Sequence, residues 1–285
     1  MILLADSGST KTHWRCVKGE GNFTDFFSEG MNPYYQDEQQ ICEALQKEVM
    51  PQLNEGDVPT EIYFYGAGCV PQKIPVMQSA LEKVFSGCTI FVGSDLLAAA
   101  RALCQHQPGI ACIIGTGSNS CYYDGSQIER NVSPLGFILG DEGSGAVLGK
   151  MLVADLLKNQ MPTHLADAFY QRFQVSGAEL MEGVYRRSFP NRFLAQFALF
   201  YGENRGEAYV EERLRTSFDA FVTRNLLQYP QAQQLPVHFV GSVAYACADV
   251  LEQVLADHRL SMGVVMKDPM QGLMTYHISY KSSCC

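Results

Sequence analysis

Two short runs of Gly, Ser and Thr residues lie between apolar segments of this chain. The first, Ser7–Thr12, follows an apolar run that ends in Asp6, and the second is Gly115–Ser118. Small residues let backbone N–H groups close on an anion, and threonine hydroxyls add further donors. Because the pattern occurs twice, we expect a duplicated unit that holds a polyphosphate between its halves. The alternative is a pair of ordinary hairpin turns.

Four carboxylates stand where they could assist phosphoryl transfer or bind a substrate. Asp95 follows an apolar strand and begins a predicted helix, so it could accept the proton of an attacking hydroxyl, or act only as a capping acid. Asp6 adjoins the first loop, where it could hold Mg²⁺ through water or serve as a turn residue. Asp141 and Glu142, in a glycine-rich bend, could bind sugar-like hydroxyls, help place a metal ion, or be first-turn acids of a helix.

Gly241-Ser242 follows a short apolar run and precedes a helical pattern. Glycine at such a turn lets the backbone approach a flat ligand closely, although plain turn chemistry is the more common reason for such a pair taken by itself. The six histidines share no metal-ligand spacing, and we assign none of them a role.

The elements that must position these residues repeat in the two halves of the chain. Apolar periodicity predicts strands at 1–6, 12–18, 22–28, 62–65 and 89–92, and helices at 37–50, 75–85 and 96–105. In the second half, strands are predicted at 110–114, 119–123, 127–132, 236–240 and 264–266. A glycine-rich bend lies at 136–145. Helices are predicted from about 145 to 229 and over 243–256, and a final short helix begins at 269. The pattern indicates an α/β protein with two similar domains around a cleft, joined near 106–109 by a hinge.

Bulk composition excludes several classes of function. The 285 residues carry a net charge of −9 without a Lys/Arg block, which argues against nucleic-acid and anionic-membrane partners. No stretch approaches the roughly 18 uninterrupted apolar residues of a membrane span, and no secretory signal pattern is present. The ten cysteines are spread out without a C-x-x-C pair, so we expect a reduced, cytoplasmic protein.

In this order, the motifs resemble those of the actin-like ATPase superfamily of sugar kinases, actin and Hsp70, and most closely the N-acetylglucosamine kinase branch of the BadF/BadG/BcrA/BcrD ATPase family. The residues that carry the resemblance are Ser94-Asp95 with Ala98-Ala99, Gly30-Met31-Asn32, Gly115 to Asn119, Gly136 with Gly140 to Ser144, and Gly241-Ser242-Val243. The resemblance covers essentially the full chain.

The resemblance implies two ribonuclease-H-like domains around an interdomain cleft for ATP and substrate. They would be 1–107, to which a C-terminal helix at 269–285 returns, and 108–268. The implied activity is an ATP-dependent kinase that phosphorylates the 6-hydroxyl of N-acetylglucosamine or a related amino sugar. A homodimer is left open.

The resemblance also implies a role for each matching residue. Asp95 would be the general base, and Asp6 would serve Mg²⁺. ATP would contact the following residues: Ser9, Thr10, Lys11, Gly115, Thr116, Gly117, Ala195, Gly241 and Ser242. The sugar would contact Asp95 and a further set: Asn32, Ser118, Asn119 and Asp141.

The sequence departs from the family's pattern at two places, and two alternative functions remain. Ser7 stands where the family usually has Gly, and Ser133-Pro134-Leu135 replaces a Gly-Gly-Trp stretch that would line the acceptor pocket. The sugar is therefore open among N-acetylglucosamine, N-acetylmuramic acid, glucosamine and other amino sugars. The alternative functions are a BadF-type ATPase that activates another enzyme through an iron–sulfur cluster, and a nucleotide-dependent sensor. Of the cysteines, only Cys69 lies near the place such a cluster would require.

Overall fold

The computed structural model describes residues 1–8, 10–19, 22–53 and 56–282. It divides the chain into two compact units. Unit 1 comprises Met1–His106 and Pro269–Cys285, and unit 2 comprises Gln107–Asp268. Unit 2 is therefore inserted in the sequence of unit 1.

Unit 1 contains, among its described residues, a five-stranded sheet in the order β3-β2-β1-β4-β5. Its strands are β1 (Ile2–Ser7), β2 (Lys11–Val17), β3 (Phe23–Glu29), β4 (Glu61–Gly66) and β5 (Thr89–Ser94). The first three strands are antiparallel neighbours, whereas β4 and β5 run parallel to β1. The carboxyl ends of β1, β4 and β5 therefore lie at one edge of the sheet.

Helices cover both faces of this sheet. They are α1 (Glu38–Ala44), α2 (Ile74–Val84), α3 (Asp95–Cys104) and α13 (Met270–Ser282). Because strand side chains alternate between faces, Leu3 and Ala5 pack in a core with residues of α1 and α2. Ile2 and Leu4 pack on the opposite face against α3 and α13.

Unit 2 repeats the topology of unit 1. Its strands are β6 (Gly109–Ile114), β7 (Ser118–Tyr123), β8 (Ile128–Val132), β9 (Val237–Val240) and β10 (Met262–Met266). The described sheet has the order β10-β9-β6-β7-β8, with antiparallel β6, β7 and β8 and with β9 and β10 parallel to β6. Strand β6 thus corresponds to β1, and the β6–β7 hairpin corresponds to the β1–β2 hairpin.

Most helices of unit 2 follow β8 in the chain. They are α4 (Gly136–Leu139), α5 (Gly145–Leu157), α6 (Thr163–Phe173), α7 (Gly177–Tyr185), α8 (Pro190–Ala195), α9 (Leu199–Glu203), α10 (Ala208–Arg224), α11 (Ser242–Ala246) and α12 (Ala248–Asp257). Their apolar faces form one core with β6 and β9, which includes Leu148, Phe197, Phe221 and Phe239.

The predicted α/β class is confirmed, and the predicted strands are all present with small shifts of their ends. Two helix predictions were wrong in detail. The helix predicted at 37–50 ends as an α-helix at Ala44 and continues as a π-helical turn at Leu45–Val49 and a 3₁₀ turn that contains Pro51. The helix predicted over 243–256 is interrupted at Cys247. Among the described helices, none has both the length and the apolar character needed to cross a membrane.

Candidate functional site

Two of the predicted carboxylates lie at the same edge of the sheet in unit 1. Asp6 lies near the end of β1, and β4 and β5 end alongside it at Gly66 and Ser94. Asp95 follows directly as the first residue of α3. The helix is capped by Ser94, whose Oγ accepts the N–H of Leu97 at 3.2 Å. Ser94 therefore makes the N-cap hydrogen bond, and Asp95 is the acidic residue of the first turn.

Asp95 is half-buried at this edge. Its Oδ1 accepts the N–H of Leu96 at 2.8 Å. Burial raises the pKa of Asp95 above its ordinary value, while hydrogen bonds from backbone N–H groups oppose that rise. A carboxylate with a raised pKa is a better proton acceptor, as general-base catalysis requires.

Ser7 connects the end of β1 to the segment that follows β3. Its Oγ hydrogen-bonds Thr12 Oγ1 at 2.7 Å, and it donates to the carbonyl and accepts the N–H of Met31, both at 3.0 Å. Both hydroxyls are fully buried, and the φ of Ser7 is not in the left-handed region. Serine therefore occupies this position without backbone strain, and it fixes the backbone immediately before Asn32.

The side chain of Asn32 lies against the loop that follows β4. The side-chain Oδ1 of Asn32 accepts the backbone N–H of Tyr34 at 2.9 Å, and the backbone N–H of Asn32 donates to Gln36 Oε1 at 2.7 Å. Gly68 adopts φ +78°, and a Cβ there would lie 2.0 Å from Asn32 Oδ1. Only glycine permits this approach, which brings Asn32 to the edge where β4 ends.

The tip of the β1–β2 hairpin is at the surface of unit 1. Thr10 and Lys11 are exposed, and the carbonyl of Thr10 accepts the N–H of Gly30 at 3.1 Å. Lys11 Nζ lies 4.7 Å from the ring centroid of Phe27. The predicted contact at Ser9 lies outside the described residues.

In unit 2, the corresponding hairpin tip is tied to the start of α5. The N–H of Gly115 donates to the carbonyl of Gly117 at 2.9 Å, which closes a tight turn. The N–H groups of Gly145 and Ala146 donate to the carbonyls of Gly115 and Thr116 at 2.8 and 3.0 Å. The start of α5 therefore holds the loop through the backbone carbonyls of Gly115 and Thr116.

Two further predicted residues of unit 2 pack close to this loop. Gly241 has φ +130°, and a Cβ there would lie 2.3 Å from the carbonyl oxygen of Ile114. A Cβ at Gly145 would lie 3.4 Å from Cβ of Ala195. Ser242 follows Gly241 as the first residue of α11. The structure thus brings together the residues of unit 2 that were predicted to contact a nucleotide.

Asp141 lies at the same hairpin tip in a left-handed conformation, with φ +54°. Its N–H donates to the carbonyl of Pro134 at 2.9 Å, and its Oδ1 accepts the N–H of Ser118 at 3.3 Å. A Cβ at Gly117 would lie 3.1 Å from its Oδ2, so the carboxylate lies across the turn. Burial, with a smaller contribution from the charge of Glu142, raises the pKa of Asp141 to about 6.

Asn119 and Glu142 have different surroundings, although both were candidates for polar contacts. Asn119 is half-buried on β7, and its Oδ1 accepts the N–H of Ser120 at 2.9 Å. Glu142 pairs with Arg224 and accepts a hydrogen bond from Asn225 Nδ2 at 3.3 Å. Glu142 therefore anchors the bend to α10, and Asp141 is the carboxylate left at the loop.

Sequence analysis gave no role to Gly68, Ser144 or Gly145, yet each shapes the site. Ser144 is fully buried, and its Oγ caps α5 by accepting the N–H of Val147 at 3.2 Å. The signal for this cap was present in the sequence, since a serine between glycines precedes an apolar helical run. For Gly68 no such signal existed, because position 68 must be glycine to make room for the side chain of Asn32, which is distant in sequence.

Among the described residues, no three or more His, Cys, Asp or Glu side chains form a group that could hold a metal ion. A single carboxylate next to a phosphate loop remains compatible with Mg²⁺, which commonly takes one or two carboxylates together with water and substrate phosphates. Asp6 is half-buried and adjoins the exposed hairpin tip, so it fits that pattern.

Comparison with solved structures shows the similarity of the whole chain to sugar kinases. A crystal structure from Porphyromonas gingivalis is 48% identical with a TM-score of 0.94, covering 99% of this chain and 100% of that chain. Another, from Chromobacterium violaceum, is 20% identical with a TM-score of 0.72, covering 96% of this chain and 98% of that chain. Both proteins carry the name putative N-acetylglucosamine kinase.

A more distant structure shows the fold alone. MreB 5 of Spiroplasma citri, bound to AMPPNP, is 9% identical with a TM-score of 0.56, covering 99% of this chain and 96% of that chain. The two units with the same strand order are those of the actin-like ATPase fold, in which each unit is a ribonuclease-H-like domain. No family model and no curated protein matches the sequence.

Proposed function

This chain belongs to the N-acetylglucosamine kinase-like branch of the actin-like ATPase superfamily, and we propose that it transfers the γ-phosphoryl group of ATP to the 6-hydroxyl of N-acetylglucosamine or a related amino sugar. The observation that carries this proposal is Asp95. It is a half-buried carboxylate of raised pKa at the carboxyl edge of a parallel sheet. Such a group can accept the hydroxyl proton as the oxygen attacks phosphorus.

Five polar residues would contact the sugar. In unit 1 these are Asn32 and Asp95. In unit 2 they are Ser118, Asn119 and Asp141, of which Asp141 is tied to Ser118. This mixture of amide donors and carboxylate acceptors suits the hydroxyl and acetamido groups of an amino sugar.

ATP would be bound through the small residues of the hairpin tips. Thr10 with Ser9 and Lys11, and Thr116 with Gly115 and Gly117, would contact its phosphates. The close packing of Gly241 on Ile114 and of Ala195 near Gly145 supports an adenosine site next to the second loop, with Ser242 beside it. Asp6 would hold Mg²⁺ together with water, and the ion would neutralise charge on the transferring phosphoryl group.

An iron–sulfur activator of another enzyme is the less supported alternative. Cluster ligation needs accessible thiolates. Burial raises the pKa of Cys69, which is almost fully buried, to about 12. The surroundings of Cys69 therefore favour the neutral thiol over the ligand form.

The decisive experiment measures ADP formation and sugar phosphate formation from Mg·ATP with a panel of N-acetylglucosamine, N-acetylmuramic acid, glucosamine and glucose. We expect turnover that depends on one amino sugar, and we expect Asp95→Asn to lower kcat by about 10²–10⁴-fold without changing ATP affinity. Asp124→Asn is the matched control, because Asp124 lies on an exposed turn and bonds only its own turn residues. ATP hydrolysis indifferent to every sugar, or a brown protein that contains iron, would overturn the proposal.

A further inference from the structure

In the side-chain amide of Asn119, only the nitrogen is available to bind a ligand. Its Oδ1 accepts two hydrogen bonds, one from the N–H of Ser120 and one from Nδ2 of Asn131, both at 2.9 Å. An amide oxygen has two lone pairs, so its acceptor capacity is filled. Its Nδ2 makes no hydrogen bond to any described residue, so the NH₂ group is the donor available to a bound molecule.

Asn131, on the neighbouring strand β8, cannot reverse its own amide. Its Nδ2 faces three acceptors, which are Asn119 Oδ1, the carbonyl of Ser120 at 2.7 Å and the carbonyl of Val132 at 3.0 Å. A reversed amide would place its oxygen against three oxygens. The NH₂ group has two N–H bonds, which it shares among these three oxygens. The carbonyl of Ser120 is the nearest acceptor, and the second N–H is shared between Asn119 Oδ1 and the carbonyl of Val132, which keeps the amide oxygen of Asn119 turned towards Asn131.

A buried tyrosine holds these two strands in place. The hydroxyl of Tyr229 donates to the carbonyl of Ser120 at 2.9 Å and accepts the N–H of Val132 at 2.8 Å. Tyr229 is almost fully buried, so the cross-strand geometry around Asn131 rests on the core of unit 2.

We propose that Asn131 is a positioning residue, which locks the amide of Asn119 so that the sugar subsite offers a hydrogen-bond donor and prefers a ligand with a carbonyl acceptor, such as an N-acyl group. This inference rests on the proposed function, in which Asn119 contacts the sugar. The neighbouring Asp141 offers the complementary acceptor for a hydroxyl, since only one of its oxygens accepts the N–H of Ser118. A protonated amino group at the same carbon of the sugar has no lone pair to accept the bond from Asn119, and a hydroxyl oxygen there lies closer to the sugar ring than an acyl carbonyl oxygen, so it reaches less far towards Asn119.

The test compares Asn131→Ala with the wild type on N-acetylglucosamine and on glucose. We expect KM for N-acetylglucosamine to rise about tenfold, and KM for glucose, KM for ATP and kcat to stay within about twofold. The matched control is Glu129→Ala on the same strand, whose carboxylate bonds only Gln127 in the structure. This variant should leave the KM for both sugars unchanged.

A double-variant cycle separates positioning from a purely structural role. If Asn131 acts through Asn119, adding Asn131→Ala to Asn119→Ala should cost less than a further twofold in KM. Additive losses, or an equal rise in KM for both sugars, would overturn the inference. A thermal unfolding curve for each variant, and sugar affinity from calorimetry, keep the comparison valid if one variant folds poorly.

The two proposals fail in different ways. A wild-type protein that phosphorylates N-acetylglucosamine, with an unchanged preference in Asn131→Ala, overturns only the role of Asn131. A wild-type protein that neither binds nor phosphorylates any sugar overturns both.

Discussion

Asp141 Oδ1 accepts the backbone N–H of Ser118 at 3.3 Å, and this bond joins a left-handed residue of the glycine-rich bend to the first residue of β7. The bond holds a carboxylate beside the hairpin tip, although burial raises its pKa to about 6. Ionisable groups with a strongly shifted pKa are frequent at binding and catalytic sites.

Asp141→Asn should therefore stabilise the protein at high pH while it weakens sugar binding. The folded state binds more protons than the unfolded state between about pH 4 and pH 6, so wild-type stability falls as pH rises through that window. We expect the variant to melt about 2–4 °C higher at pH 8. The gain should shrink towards zero near pH 4.5, as measured by calorimetry. Asparagine also tolerates the left-handed conformation.

Asp124→Asn provides the control of opposite sign. Asp124 accepts hydrogen bonds from the backbone of Ser126 and Gln127, which lower its pKa. Its ionised form therefore supports stability above the unfolded pKa, and that contribution is lost as pH falls. The control should not melt higher than the wild type at pH 8. A gain for Asp141→Asn that is equal at pH 5 and pH 8 would contradict the assignment of the effect to ionisation.

Ser7→Ala should destabilise unit 1 and weaken sugar binding together. The substitution leaves the buried N–H of Met31 without the oxygen that accepts it, at a cost of about 1–3 kcal/mol. Because the same bond fixes the backbone before Asn32, KM for the sugar should rise while KM for ATP changes little. Chemical denaturation and steady-state kinetics measure the two effects. An unchanged midpoint of unfolding would refute the role of the Ser7 hydroxyl.

Gly149→Ala should disrupt the proposed adenosine site of unit 2. A Cβ at Gly149 would lie 1.9 Å from the carbonyl oxygen of Leu194, so α8 and Ala195 must move away from α5. We expect a loss of at least about 2 kcal/mol in stability and weaker ATP binding in a nucleotide titration. Gly202→Ala is the control, because nothing lies within 4 Å of its Cβ position and the residue is in a helix. It should be neutral or slightly stabilising, and equal losses in both variants would exclude the packing explanation.

The sequence predicted the strands and the paired hairpins well because those depend on local patterns. Apolar alternation and small turn residues mark β1, β2, β6 and β7 directly. The cap of α3 is likewise a local feature, since Ser94 accepts the N–H of Leu97 within one helical turn.

Features set by distant partners could not be predicted in the same way. The orientation of the Asn119 amide depends on Asn131 from a neighbouring strand, and the π-helical turn at Leu45–Val49 follows from no local pattern that we identified. Glu142 was indistinguishable from Asp141 in the sequence. Only the position of Arg224 and Asn225 on and after α10 shows that Glu142 is an anchor.

The return of α13 to unit 1 has a consequence for biosynthesis. Met270, Leu273 and Met274 cover one face of the N-terminal sheet, yet they are translated only after the whole of unit 2. The strands of unit 1 are thus synthesised first, but the helix that completes their packing is synthesised last. Unit 2 is continuous in sequence and can fold as soon as it emerges from the ribosome. In a nascent chain arrested after residue 268, only α3 would cover the face that carries Ile2 and Leu4, and the part that α13 covers in the complete fold would be left exposed.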